Sequence, residues 1–265
     1  MSTPRVLDFQ ATVWITGATS GIGLHLAQSL LRDNHRIIAT GRRLQPLQEL
    51  ASEAPERLTI AVADTTQPDD LEKTRTLFRE QAPVQMAILN AGTCEYVDIA
   101  QFDASVIEHN ITTNLIGTAR SVETVLPALR KARRAGLPAH LVIVSSSAWW
   151  FPFGRAEGYG ASKAGLTYFA HALRADLAAE GITVTVVSPG FVKTPLTDRN
   201  DFPMPFMVTA EDAANRILKG LKKGKTEIHF PKRFTYTLKA LNLLPQCWID
   251  SLAARMTRKS QETDE

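Results

Sequence analysis

The sequence has only two cysteines, Cys94 and Cys247, in 265 residues. Neither their number nor their spacing supports a disulfide framework or a thiolate metal site, so reduced thiols in a cytoplasmic protein are expected. The six histidines show no H-E-x-x-H or related pattern, and no metal is expected. Charge of one sign is scarce: 30 basic residues stand against 27 acidic ones, and a net charge of +3 exerts no general pull on nucleic acid. No apolar run is long enough to span a bilayer. The first residues, "MSTPRVLDFQ", lack an apolar h-region, so no signal peptide is expected. Internal repeats and low-complexity linkers are missing too. One domain over residues 1–265 is the expectation, with enough chain for a sizeable core.

What the sequence does contain is an alternation. "TVWIT" (12–16), "RIIAT" (36–40), "LTIAVAD" (58–64), "MAILNAG" (86–92), "HLVIVSSS" (140–147) and "TVTVVSPG" (183–190) are short apolar runs. Helical patterns separate them, at about 21–33, in "LQPLQELASE", and at about 69–81, 102–133 and 158–180. Continuous apolar strands imply that both sheet faces are covered. Strict βαβ alternation then predicts an α/β fold with a doubly wound parallel sheet. The stretch 191–208, "FVKTPLTDRNDFPMPFMV", breaks the pattern with three prolines, two methionines and three phenylalanines. Long irregular segments of this kind serve as lids or binding loops. A helix capped by Thr209 should follow, then a last strand at 227–230 and a helical tail over 232–265, broken at Pro245.

"TGATSGIG" (16–23) lies at the first strand–helix junction. Gly17, Gly21 and Gly23 allow a tight turn and a close approach by phosphate, with Thr19, Ser20 and Ile22 in the same loop. The following helix start offers free N–H groups and a partial positive charge. Position within a βα unit raises this above a chance glycine cluster. The second strand ends "ATGRR". Gly41 stands where an acid would hold a ribose 2′-hydroxyl, and Arg42 and Arg43 follow. Two guanidiniums suit a 2′-phosphate, so NADP(H) is expected over NAD(H).

Taken together, these residues resemble the short-chain dehydrogenase/reductase family. "TGATSGIG" is similar to its cofactor loop. "LNAG" (89–92) resembles its Asn-Asn-Ala-Gly turn, with Leu89 in place of the first Asn and with Asn90, Ala91 and Gly92 retained. Asp64 matches the acid at the end of the third strand, near the adenine. "YGASK" (159–163) matches the Tyr-x-x-x-Lys signature, and Ser146 lies thirteen residues before Tyr159, the family spacing. Asn114 falls where the family has a relay asparagine. "SPGFVKT" (188–194) is similar to the segment that meets the nicotinamide, with Pro189, Gly190, Val192 and Thr194 as expected contacts. The resemblance runs over about residues 11–195. It implies a Rossmann-type doubly wound sheet flanked by helices, carbonyl–alcohol redox chemistry, and a homo-dimer or homo-tetramer.

By this resemblance Tyr159 is the general acid or base, Ser146 holds the substrate oxygen, Lys163 meets the nicotinamide ribose, and Asn114 holds a water. Elementary electrostatics makes the Tyr–Lys spacing meaningful, because positions i and i+4 share a helix face. Moving a phenol from about 10 to about 7 needs roughly 4 kcal/mol. An ammonium about 4 Å away, at an effective dielectric near 20, supplies roughly that. Lys163 alone is therefore expected to bring Tyr159 into range.

Ala148, Trp149 and Phe153 follow the catalytic serine, and Phe202 and Met204 lie in the lid segment. They suggest either an apolar substrate pocket or else packing or a subunit interface. From Arg216 to Lys259, eleven basic residues meet two acids, interleaved with aromatic and aliphatic side chains. That composition fits a peripheral contact with an anionic membrane, or a cover over the pocket or a subunit partner. Two other functions stay open: a nucleotide-binding regulator with weak turnover, and a sugar-nucleotide epimerase or dehydratase of related fold.

Overall fold

A computed structural model describes residues 5–80, 83–200 and 202–256, with Arg199 described by its backbone only. Among the described residues, nine strands and nine α-helices follow in this order: β1 Thr12–Thr16, α1 Gly21–Arg32, β2 Arg36–Gly41, α2 Leu44–Ser52, β3 Leu58–Val62, α3 Pro68–Glu80, β4 Val84–Leu89, α4 Ala104–Ile111, α5 Gly117–Arg134, β5 Ala139–Val144, α6 Glu157–Ala178, β6 Ile182–Pro189, β7 Val192–Lys193, β8 Val208–Thr209, α7 Ala210–Lys222, β9 Glu227–Phe230, α8 Lys232–Leu241 and α9 Gln246–Met256. Seven strands form one parallel sheet in the order β3-β2-β1-β4-β5-β6-β9. The order reverses between β1 and β4, and ligands of such sheets bind at the strand ends beside that reversal.

Side chains alternate across the pleat. On β1, Val13 and Ile15 pack with Leu26, Leu30, Leu47 and Ile217 on the face covered by α1, α2 and α7. Trp14 points the other way, to Phe78, Val125, Leu129 and Leu166 beneath α3, α5 and α6. The Trp14 indole N–H donates to Thr40 Oγ1 at 2.8 Å, so the largest buried ring leaves no polar atom without a partner. This is why the strands read as unbroken apolar runs.

Two expectations are revised. The long helix foreseen over 102–133 is not continuous: Thr112–Ile116 form a π-helical turn between α4 and α5. The segment 191–208 is not wholly irregular, because β7 and β8 pair in parallel and tie its ends together. Thr209 does cap α7, its hydroxyl accepting from Asp212 N–H at 3.1 Å. In the tail, α8 and α9 flank Pro245, and Leu238 and Ile249 bury themselves against Trp150 and Phe151. Residues 257–265 of the expected tail lie outside the described residues. Among the described residues, no helix is long and apolar enough to cross a membrane.

Candidate active site

The site begins where β1 turns into α1. Gly17 has φ +68°, and a Cβ there would stand 2.9 Å from Asn90 Nδ2. Only glycine fits both the backbone angle and the neighbour. Asn90 secures the turn. Its backbone N–H donates to Thr16 Oγ1 at 3.0 Å, and its amide nitrogen donates to the carbonyls of Thr16 and Gly17 at 3.2 and 3.3 Å. Ala91 N–H donates to the same Thr16 hydroxyl at 3.1 Å. The loops after β1 and β4 are thus one unit. Ser20 makes no side-chain capping bond at the start of α1, so its hydroxyl does not occupy the N–H groups that suit a phosphate.

The second strand ends beside this turn. A Cβ on Gly41 would meet Thr19 Cγ2 at 2.4 Å, so an acidic side chain there would have to displace Thr19. Arg42 is 75% exposed and reaches Asp64 Oδ2 at only 3.9 Å. Such a loose, solvated pair leaves the guanidinium available for a stronger partner. Asp64 Oδ1 accepts from the Thr66 N–H and hydroxyl, both at 2.8 Å, which fixes the carboxylate.

At the other end stand the groups of the Tyr-x-x-x-Lys pattern. Ser146 and Tyr159 line one cleft, near enough for the Ser146 hydroxyl to act on the ionisation of the phenol, and Ser146 Oγ accepts from Ala148 N–H at 3.1 Å. Ser145 is occupied elsewhere, donating to the Lys163 carbonyl at 3.0 Å and bonding Thr167 Oγ1 at 2.7 Å. Ser146, the serine expected from the spacing, is the one near enough to Tyr159 to act on its phenol. Lys163 Nζ donates to the Val144 carbonyl at 3.1 Å and lies 5.8 Å from the Tyr159 ring centroid.

Burial dominates the ionisation of both groups. It lowers Lys163 to about 8, and it pushes the Tyr159 phenol above its ordinary value, opposed by the nearby Ser146 hydroxyl. The expectation that Lys163 alone brings Tyr159 near neutrality is thus corrected. The ammonium is held at a backbone carbonyl, and the cost of desolvating a phenolate outweighs its attraction.

Asn114 sits in the π-helical turn, fully buried. Its Oδ1 accepts from Thr93 N–H at 2.8 Å, and its Nδ2 donates to the Thr93 carbonyl at 3.0 Å and to Ser162 Oγ at 2.8 Å. Both amide donors are used within the protein, so only lone pairs on its oxygens remain for a water. Ser162 in turn donates to the Tyr159 carbonyl at 2.7 Å. Asn114 thereby ties the loop after β4 to the catalytic helix α6.

Every expected cofactor residue except Gly23 lines one cleft of about 660 Å³, running from Arg42 and Asp64 to Ser146, Tyr159 and Lys163. Gly23 lies beneath the turn, where a Cβ would strike the Gly17 carbonyl at 2.2 Å. The cleft also takes in Thr65, Thr66, His109 and Thr197. These come from loops and helix ends that carry no motif, so nothing in the sequence marked them. Among the described residues, no cluster of metal-ligating side chains occurs.

Of the expected substrate residues, Ser146 lines this cleft, and Ala148, Trp149, Phe153, Phe202 and Met204 do not. Ala148 is half-buried at the turn after Ser146. Trp149 donates to Ser188 Oγ at 3.4 Å, and both Trp149 and Phe153 pack on the cluster beneath α8 and α9. Phe202 lies edge-on to Tyr96 and to Phe191, at 5.8 Å in each case. Met204 sulfur accepts from the Asn200 amide at 3.4 Å.

Comparison with known proteins agrees with this architecture. Residues 11–202 match the family model for short chain dehydrogenase. An uncharacterized oxidoreductase of Myxococcus xanthus is 36% identical over 92% of this chain and 97% of its own length. The NADP-dependent 3-hydroxy acid dehydrogenase of Escherichia coli is 33% identical over 68% of this chain and 72% of its own. A short chain dehydrogenase from Burkholderia cenocepacia, solved in complex with NADP, superposes with a TM-score of 0.80 at 21% identity, covering 97% of this chain and all of that one.

Proposed function

The chain belongs to the short chain dehydrogenase family of oxidoreductases, and from that premise we propose that it is NADP(H)-dependent and acts on a carbonyl or secondary alcohol of a lipophilic compound. One observation carries the reading: Ser146 and Tyr159 share a cleft with Lys163 at one end and with Arg42 at the other. The nicotinamide, when bound, supplies or accepts the hydride. Tyr159 holds the proton destined for the substrate oxygen, and burial keeps it protonated, which suits a general acid in carbonyl reduction. Ser146 offers its hydroxyl to the same oxygen as charge develops there. Lys163 meets the nicotinamide ribose. Asn114 fixes the loop and helix between which these groups work.

Arg42 and Arg43 take the 2′-phosphate, while Thr19, packed against Gly41, leaves no room for a competing acid. The NADP dependence of the Escherichia coli relative supports this choice. The aromatic side chains of Tyr96, Phe191 and Phe202 beyond the cleft support an apolar substrate. The regulator reading is disfavoured because all four catalytic positions are intact.

Two surface readings belong to the same proposal. Tyr168 on α6 is 80% exposed, and it fits a homo-dimer or homo-tetramer built on the long helices. On the segment of α8 and α9, Leu243 is 85% and Trp248 64% exposed, and Arg233 and Arg255 of the same helices are exposed too. That combination fits peripheral contact of a cytoplasmic protein with an anionic membrane.

The test is an NADPH-oxidation screen over aldehydes, ketones, keto acids and acyl thioesters, with alcohols and NADP in the reverse direction. NADPH consumption with a lipophilic carbonyl is the expected result. NADPH binding without any turnover would favour the regulator, and absence of NADPH binding would overturn the proposal.

A further inference from the structure

Residues 91–98 have no regular secondary structure, yet they follow a strand-like rule. Alternate residues have their backbone groups claimed from one side. Thr93 N–H and C=O are both bonded by the Asn114 amide, at 2.8 and 3.0 Å. Two residues on, Glu95 N–H donates to Asn110 Oδ1 at 3.2 Å and its carbonyl accepts from Asn110 Nδ2 at 3.1 Å. Two further on, Val97 N–H donates to the Arg155 carbonyl at 2.8 Å.

Asn110 and Asn114 stand four apart, hence on one face across α4 and the π-helical turn. Their amides reproduce the donor–acceptor pairs that a neighbouring strand would offer. Asn110 is fully buried, and its amide nitrogen also donates to the Val106 carbonyl at 2.8 Å. A Cβ on Gly158, the residue before Tyr159, would stand 3.2 Å from that nitrogen. A buried amide with this many bonds is costly unless all are made. An apolar residue would have satisfied the helix alone, so the amide serves the loop.

The residues between the clamped ones are Cys94 and Tyr96. In extended chain, alternate side chains leave on one side. Cys94 lies near enough to Tyr96, Lys163 and Tyr159 to influence, or be influenced by, their ionisation. The Tyr96 ring meets Phe202 of the lid segment. The pair therefore spans from the proton donor to the lid.

We propose that Asn110 is a positioning residue which, together with Asn114, holds the 93–97 loop as a surrogate strand so that Cys94 and Tyr96 form a specificity-determining wall of the substrate site. The proposal rests on the oxidoreductase reading for its kinetic readout but not for its chemical one. Burial raises the Cys94 thiol pKa, so slow reaction with a maleimide is the expected baseline in the intact protein.

The experiment uses the full chain carrying Cys247→Ser, which leaves Cys94 as the only thiol. Asn110→Ala should speed Cys94 alkylation at least about tenfold. It should also raise KM for the carbonyl substrate several-fold while the NADPH Kd, read by fluorescence, stays within about twofold. Asn110→Gln, which restores an amide, should recover part of both effects. Should Asn110→Ala fail to fold, Cys94→Phe in the wild-type background replaces it, and it should discriminate against larger carbonyl substrates without changing NADPH binding. Unchanged thiol reactivity and KM in Asn110→Ala, or unchanged size preference in Cys94→Phe, would overturn the wall. A wild-type protein that binds no NADPH would instead overturn the oxidoreductase reading, and the alkylation rates would still decide the role of Asn110.

Discussion

The side chains of Ser146, just past β5, and Tyr159, on α6, face one cleft, near enough for the serine hydroxyl to oppose the rise in the phenol's pKa. That places a donor–acceptor hydroxyl from just past a strand end near a phenol on the first turn of a helix. Neither group is charged in the buried site, and a substrate oxygen entering between them would meet two O–H groups at once.

Tyr159→Phe removes the proton donor and keeps the ring. Turnover should fall at least about a hundredfold, the lower bound for general acid–base catalysis. The NADPH Kd, read by fluorescence, should change little. Turnover close to wild type would exclude Tyr159 as the acid.

Arg42→Ala should weaken NADPH and spare NADH, because the exposed guanidinium addresses only a 2′-phosphate. A charge-assisted hydrogen bond of about 1.5–3 kcal/mol corresponds to roughly a ten- to hundredfold loss. Parallel losses for both cofactors would count against phosphate recognition. Arg43, which borders the same end of the cleft, can carry part of the load, so the double variant should lose more.

Acid stability should depend on His140. It is buried between β5 and β6, bonded to Thr185 Oγ1 at 2.8 Å, and burial lowers it to about 4. The Thr185 hydroxyl donates to the Lys225 carbonyl, so His140 Nε2 supplies the proton of its own bond and the ring is neutral. Its folded-state pKa lies below the unfolded value of 6.5. The unfolded chain therefore takes up the proton first, and stability falls as pH drops from about 6.5 to about 4. In His140→Leu, the loss of Tm over that window should be smaller than in wild type. Equal losses would assign the acid sensitivity elsewhere.

Membrane contact is tested at Leu243 and Trp248, without truncating the tail that covers Trp150 and Phe151. Wild-type protein should sediment with phosphatidylglycerol vesicles at low salt and release at high salt, as screening predicts. Leu243→Asp and Trp248→Ala should reduce sedimentation several-fold while leaving NADPH turnover on soluble carbonyls unchanged. No sedimentation at low salt would leave the tail as a cover for the aromatic cluster.

Sequence by itself determined the frame. Apolar runs at the right spacing gave the sheet, because a parallel strand covered on both faces has no polar side. The glycine turn and Arg42 were readable because backbone angle and charge are local properties. Spacing alone singled out Ser146 among three serines. What the tertiary structure decided depends on distance and burial. The ammonium of Lys163 turned to the Val144 carbonyl, and desolvation, which sequence cannot measure, raised Tyr159 instead of lowering it. The aromatic residues after Ser146 proved to serve the tail helices, since only packing distinguishes a pocket wall from a core. The amides of Asn110 and Asn114 were matched to the loop at 93–97 only when the π-helical turn set them against its backbone. Hydrogen bonds between distant segments are written in three dimensions, because they need donor and acceptor brought within 3 Å or so by everything else that folds.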